Sequence, residues 1–292
     1  MRILVIGASG QLGLALCEVF STDHQVVGTA HFNTQLGQLR LDLADAKSTL
    51  AVLEQTRPSL ILLAGAMCNV DLCELEPETC RRVNVAGPRI VAEYASRSGS
   101  HLVFFSTDQV FDGTQESYKE SDPVGPLNTY ARSKAESEAL LREALPGRHI
   151  IIRTAWLYGS DMQRRNFALR LVDRVTAGER VAVPADQWGS PTYTEDLARA
   201  TRFLIEHGHT GTFHATGPEL IDRVSLARRV CAHFGLDESC IVPTPTSVLG
   251  QAARRPLRVR LDCQKLEMSG ADRFRGVDAG LEALLARLEA YH

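Results

Sequence analysis

Five short apolar runs, Ile3–Ile6, Gln25–Thr29, Leu60–Leu63, Leu102–Phe105 and Ile150–Arg153, alternate with four amphipathic stretches, Gln11–Phe20, Ala46–Gln55, Val85–Arg97 and Tyr130–Leu145. The runs are continuous and rich in β-branched residues, as strands covered on both faces must be. The stretches between them carry the helical period. Parallel strands need long crossover connections, so this alternation predicts an α/β fold, a doubly wound parallel sheet of the Rossmann type. After about Trp156 the pattern loosens. Helices are expected over Asn166–Ala177, Thr194–His207, Ser225–Phe234 and Leu281–Leu288, with short strands near Val181 and Phe213 and a loop from Pro243 through Pro256.

The first run leads directly into Gly7-Ala8-Ser9-Gly10-Gln11-Leu12-Gly13, a glycine-rich turn that opens a helix. Glycines there permit a tight turn, let backbone N–H groups approach phosphates, and let helix and strand pack closely. The helix N-terminus adds partial positive charge. The turn therefore predicts a dinucleotide site. Residues 1–155 are expected to form the dinucleotide-binding domain. Residues 156–292 are expected to be mainly a smaller substrate-binding lobe, interleaved with the main sheet. NAD binders place an acid about 20 residues on, at the end of the second strand. That strand here ends Thr29-Ala30-His31-Phe32-Asn33, without an acid. No charge is present to repel a 2′-phosphate, so NADP(H) is favoured over NAD(H).

Tyr130 and Lys134 stand at i and i+4, on one face of the fourth helix. With six tyrosines and four lysines in 292 residues, such a pair arises by chance about 0.08 times. A phenol near pKa 10 is a poor catalyst at neutral pH. A neighbouring ammonium, joined by the charge of an oxidised nicotinamide, is expected to bring it down. Upstream, Ser106-Thr107-Asp108 ends the strand Leu102–Phe105. Ligands of doubly wound sheets sit at the carboxyl ends of strands, where a hydroxyl can donate to a carbonyl that gains negative charge.

Composition narrows the partners. Apolar residues make up 44% and charged residues 23%, with a net charge of -3 and no basic run. That fits a folded globular chain and argues against a nucleic-acid partner. No apolar stretch approaches the roughly 18–20 residues of a membrane span. The seven cysteines include no C-x-x-C pair, and the spacing of Cys68, Cys73 and Cys80 fits no common zinc pattern. Reduced thiols, a cytoplasmic location and no metal are expected.

Taken together, these features resemble the extended short-chain dehydrogenase/reductases, and further segments narrow the likeness to the dTDP-4-dehydrorhamnose reductase family. Those segments are Asn69-Val70-Asp71, Val110-Phe111-Asp112-Gly113, Pro126-Leu127-Asn128, Arg153 to Gly159, Asp186 to Thr192, and Arg255-Pro256 with Leu261-Asp262. The resemblance implies an NADPH-dependent reductase of a nucleotide-linked 4-keto sugar, with Thr107, Tyr130 and Lys134 as the catalytic trio. It implies that Gly7, Gly10, Gln11 and Leu12 line the pyrophosphate, Asp42 and Leu43 meet the adenine, and Ala64, Gly65 and Ala66 lie beneath the ribose. Tyr130 and Lys134 would also touch the cofactor. Thr107, Asp108, Trp156, Asn166, Gln187 and Arg255 would contact the substrate. A homodimer is also expected, through the helices Val85–Arg97 and Tyr130–Leu145.

The chain departs from the family pattern at Gln109, where a tyrosine is usual, and at Leu63 and Ala131. Leu261 to Leu266 resembles instead the regulatory β subunit of methionine adenosyltransferase. A non-catalytic NADP-binding subunit and an NAD-dependent sugar-nucleotide epimerase or dehydratase therefore stay open as alternatives.

Overall fold

The computed structural model describes residues 1–32 and 38–290. The first half of the chain alternates as its apolar pattern requires: β1 (Arg2–Ile6), α1 (Gln11–Ser21), β2 (Gln25–Ala30), β3 (Leu39–Arg40), α2 (Ala46–Thr56), β4 (Leu60–Leu63), α3 (Val70–Leu75), α4 (Pro77–Arg81), α5 (Gly87–Ser98), β5 (His101–Thr107), α6 (Thr129–Ala144) and β6 (His149–Thr154). The second half follows with β7 (Leu157–Tyr158), α7 (Phe167–Thr176), β8 (Val181–Pro184), β9 (Trp188–Gly189), β10 (Thr192–Tyr193), α8 (Thr194–Glu206), β11 (Gly211–His214), β12 (Ile221–Asp222), α9 (Arg223–His233), β13 (Ile241–Thr244), α10 (Gln264–Met268) and α11 (Val277–Glu289).

Seven of these strands form one sheet in the order β11-β6-β5-β4-β1-β2-β3, every neighbouring pair parallel. Strand order reverses at β1. The crevice beyond the ends of β1 and β4 is thus the switch point where such sheets bind ligands. Side-chain alternation divides the core in two. Ile3, Val5, Leu60, Leu62, Val103, Phe105, Ile150 and Ile152 pack beneath α1 and α8, through Leu12, Leu16, Phe20, Leu197 and Leu204. Leu4, Ile6, Ile61, Leu63, Leu102, Phe104 and Ile151 face α2, α5 and α6, through Leu53, Val91, Ala95 and Leu141. The apolar faces of α5 and α6 are thereby covered within the chain.

The lobe has its own cluster, formed by α7, α9 and α11 around β8 and β13, and its strands pair only two by two. It is not contiguous in sequence: α8 and β11 return to the main sheet, with Phe213 and Ala215 in the core above β6. Short polar side chains start the helices where the sequence supplies them. Asp45, Asn69, Asn128, Asn166 and Asp222 each accept a backbone N–H at the first turn of α2, α3, α6, α7 and α9. The helix expected from Val85 begins differently. A single π-helical turn over Arg82–Ala86 joins α4 to α5, so the helical path starts at Pro77.

Candidate active site

The glycine turn and the strip after β4 meet backbone to backbone. Gly7 has φ +89°, and a Cβ there would lie 2.6 Å from Gly65; one on Gly13 would lie 2.1 Å from the Gly7 carbonyl oxygen. Only glycine lets α1 start this close to β1. Gly10 begins α1 with no side-chain cap, which leaves the first-turn amides facing outward for an anion. Gln11 donates through Nε2 to the Leu157 carbonyl at 3.4 Å, and its Oε1 is buried with no partner. Leu43 packs against Gly65 and Gly87. Asp42 accepts from the Ala44 N–H at 2.8 Å and lies 3.4 Å from Nε2 of His31. The structure therefore brings Gly7, Gly13, Leu43, Ala64 and Gly65 together at the head of α1, with Gly10 and Gln11 opening that helix, Asp42 beside Leu43, and Leu12 turned into the core beneath α1. This cradle fits a dinucleotide. Of the segment after β2, Asn33 lies outside the described residues.

Thr107, Tyr130 and Lys134 converge where β5 ends against α6. Thr107 Oγ1 donates to Asp108 Oδ1 at 3.0 Å and accepts from the Gln109 N–H at 3.2 Å. Tyr130 and Lys134 are buried, exposed by only 9% and 3%. The Lys134 ammonium stands 3.9 Å above the Phe104 ring. Among the described residues no hydrogen bond to it is present, although Glu138 lies one turn further along α6. Burial lowers its pKa to about 8, against the pull of neighbouring thiols and of Glu138. Lysine on an aromatic face and without an acceptor is prepared for a hydroxyl ligand.

The phenol behaves otherwise than the spacing implies. Burial, with Cys68 and Asp108 close by, holds the Tyr130 pKa well above its ordinary value, against the pull of the Thr107 hydroxyl. Lys134 does not bring it down in the unliganded chain, because desolvation outweighs a cation that is itself desolvated. Asp108 is pushed up to about 6 by burial, while the Thr107 hydroxyl and Arg223 pull it down.

A buried frame fixes the tyrosine helix. Arg153 on β6 donates from Nε and Nη2 to both oxygens of Glu138, at 3.0 and 2.7 Å, and each residue is about 1% exposed. At the start of α6, Asn128 accepts from the Ala131 N–H at 2.8 Å. Its Nδ2 donates to Gln109 Oε1 at 3.1 Å and to the Arg254 carbonyl at 2.8 Å. Gln109, the departure from the family pattern, is thus wired to the start of α6. On the other side, Cys73 and Cys80 pack with Tyr130 in one cluster; Cys73 donates to the Met67 carbonyl at 3.3 Å and Cys80 to the Ser133 hydroxyl at 3.6 Å. All seven cysteines are free thiols.

The residues expected on the substrate side divide. Trp156 follows β6 with φ +42°, a strained value for a bulky residue. It lies flat on Gly189, where a Cβ would come within 2.4 Å of the ring. Asn166 serves α7: Oδ1 accepts from the Leu169 N–H at 3.0 Å and Nδ2 donates to the Gly159 carbonyl at 3.0 Å. The Gln187 amide donates to Thr246 and Gln251 at 3.0 and 3.1 Å. Arg255 donates to both oxygens of Asp71 at 2.9 and 2.8 Å and to the Ala253 carbonyl at 3.1 Å, which fixes its side chain on α3. Sequence reasoning passed over Arg223, whose guanidinium lies 3.3 Å from the Trp156 ring centre and 4.7 Å from that of Phe167.

The family model described as RmlD substrate binding domain matches residues 1–290. The chain is 34% identical over 257 residues to the dTDP-4-keto-6-deoxy-D-glucose reductase of Streptomyces niveus, covering 87% of this chain and 86% of that one. It is 31% identical to the methionine adenosyltransferase 2 subunit beta of Danio rerio, over 92% and 85% of the two chains. It superimposes on the crystal structure of dTDP-4-dehydrorhamnose reductase from Bacillus anthracis in complex with NADP with a TM-score of 0.88 and 29% identity, covering 98% and 99%. With its glycine cradle, its Thr107/Tyr130/Lys134 constellation and these matches along nearly its whole length, the chain belongs to the dTDP-4-dehydrorhamnose reductase family.

Proposed function

We propose that this protein is an NADPH-dependent reductase of a nucleotide-linked 4-keto-6-deoxy sugar. The observation that carries the reading is the burial of Tyr130 and Lys134 beside Thr107, at the mouth of a crevice built for a dinucleotide. When bound, the reduced nicotinamide supplies the hydride that adds to C4 of the sugar. Tyr130 gives its hydroxyl proton to the C4 oxygen, completing the alcohol. A phenol held protonated by burial is suited to be the acid. Thr107 orients the carbonyl by a hydrogen bond. Lys134 takes the hydroxyls of the nicotinamide ribose, and its charge eases loss of the phenolic proton. Trp156 and Asp108 flank the sugar.

NADPH is preferred over NADH in this reading. Thr29–Phe32 offers no acid to repel a 2′-phosphate, and the Bacillus anthracis relative is an NADP complex. The test is the loss of reduced-nicotinamide absorbance with a panel of nucleotide-linked 4-keto sugars. The reading requires turnover of at least one sugar, and turnover of none refutes it. The likeness to the methionine adenosyltransferase β subunit supports a second reading, a regulatory subunit without catalysis. A stoichiometric synthetase in a pull-down, together with no sugar turnover, would select it.

A further inference from the structure

Arg223 is the first residue of α9, and its backbone N–H donates to the Gln187 carbonyl at 3.0 Å. Its side chain has no hydrogen bond and no ion pair among the described residues. The adjacent acid is not available to it, because Asp222 caps α9: Oδ1 accepts from the Ser225 N–H at 2.9 Å and Oδ2 from the Ser225 hydroxyl at 2.6 Å. The guanidinium lies instead across Trp156 and Phe167. The field of Asp108 favours its charge, and Arg255 and Arg170 act against it. Of those two arginines, Arg255 is neutralised by Asp71, while the exposed Arg170 has no ion pair among the described residues. Desolvation holds the Arg223 pKa down to about 9, so at neutral pH it remains charged.

A cation stacked on a tryptophan, with all its donors unused, wants an anion with several acceptor oxygens. The stacking fixes the plane of the fork before any ligand arrives. Resting on the reading above, we propose that Arg223, laid on Trp156 and supported by Arg170 at the rim, is the subsite for the diphosphate of the nucleotide sugar. Its place accords with the shape of that substrate. The keto carbon must reach Tyr130 and Thr107, and the diphosphate leaves the opposite end of the sugar ring, across Trp156. Arg223 is a binding residue here and takes no part in proton transfer.

The test uses the full chain saturated with NADP+ and titrated with dTDP by calorimetry. Arg223→Met keeps an aliphatic stem over Trp156 and removes the charge. Loss of a charge-assisted contact of this kind weakens dTDP binding by about 10- to 100-fold. Arg223→Lys should recover part of that loss. In turnover of a nucleotide-linked 4-keto sugar, the loss should fall on KM rather than kcat, as removal of uniform binding does. Arg223→Gln takes the place of the Met variant if that variant does not fold. Wild-type affinity for dTDP in Arg223→Met overturns the subsite alone. A wild type that neither binds dTDP nor reduces any keto sugar overturns the reading beneath it, and the subsite with it.

Discussion

Lys134→Met should make this protein more stable while depriving it of its cofactor. The ammonium is 3% exposed and has no hydrogen-bond acceptor among the described residues. Its pKa is lowered from 10.5 to about 8 by burial. At about 1.4 kcal/mol for each pH unit of difference, carrying the charge in the folded state costs ~3 kcal/mol. The contact with Phe104 at 3.9 Å returns about 1 kcal/mol, and the variant loses it. The net gain for Lys134→Met is then ~2 kcal/mol near neutral pH, or a rise in melting temperature of roughly 4–8 °C.

The sign depends on pH in a specific way. The folded form loses its proton at a lower pH than the unfolded form does, so the unfolded chain binds more protons between about pH 8 and 10.5. The penalty is complete below the lower value and fades as pH rises towards the upper one. The stability difference between variant and wild type should therefore shrink across that window. Urea denaturation of the cofactor-free proteins at several pH values measures it. A variant less stable than the wild type at neutral pH, or a difference that persists unchanged above the window, would refute the reasoning.

Tyr130→Phe should lower the single-turnover rate of sugar reduction by about 10²–10⁴-fold with NADPH affinity nearly unchanged; a wild-type rate, with chemistry shown to limit it by a deuterated-NADPH isotope effect, excludes Tyr130 as the acid. Glu138→Gln leaves Arg153 charged and buried without its carboxylate, which should cost about 3–5 kcal/mol and lower the melting temperature by roughly 10 °C; calorimetric melting reads this. Gly13→Ala puts a methyl 2.1 Å from the Gly7 carbonyl oxygen, so α1 must move away from β1. Fluorescence titration should show NADPH binding lost, while a variant that binds like the wild type would deny the turn its cradle role.

The sheet was legible because strands covered on both faces leave unbroken apolar runs, and Ile3–Ile6, Leu60–Leu63 and Ile150–Arg153 are such runs. The segment 70–86 was not. Its helices carry charge on most turns and include Pro77, and they are held by Cys73, Cys80 and Asn84, whose burial comes from α6 rather than from any local period. The two-residue strands β3, β7, β9, β10 and β12 are too short to have a period at all.

In the site, the spacing of Tyr130 and Lys134 could be read because a single helix sets it. Arg223 could not. On α9 it stands near Arg228 and Arg229, and such a run reads as a solvated face. Only the fold shows that Arg229 is paired with Glu219 and Asp278 while Arg223 lies on Trp156. The direction of the Tyr130 pKa was hidden for a similar reason. Spacing places a cation beside a phenol, but only the packed structure tells how little water surrounds both.

The return of α8 and β11 to the main sheet bears on how a family of this kind can diversify. Leu197, Ala198, Leu204 and Phe213 belong to the same core as β1 and α1, so a cut after residue 155 would strip one edge of the sheet and uncover one flank. The second half of the chain therefore cannot be exchanged as a cassette between related chains. If the proposed substrate site is right, new specificity arises in place, through the short strand pairs and loops around Trp156, Gln187 and Arg223, while the threads that run between the two halves stay as they are.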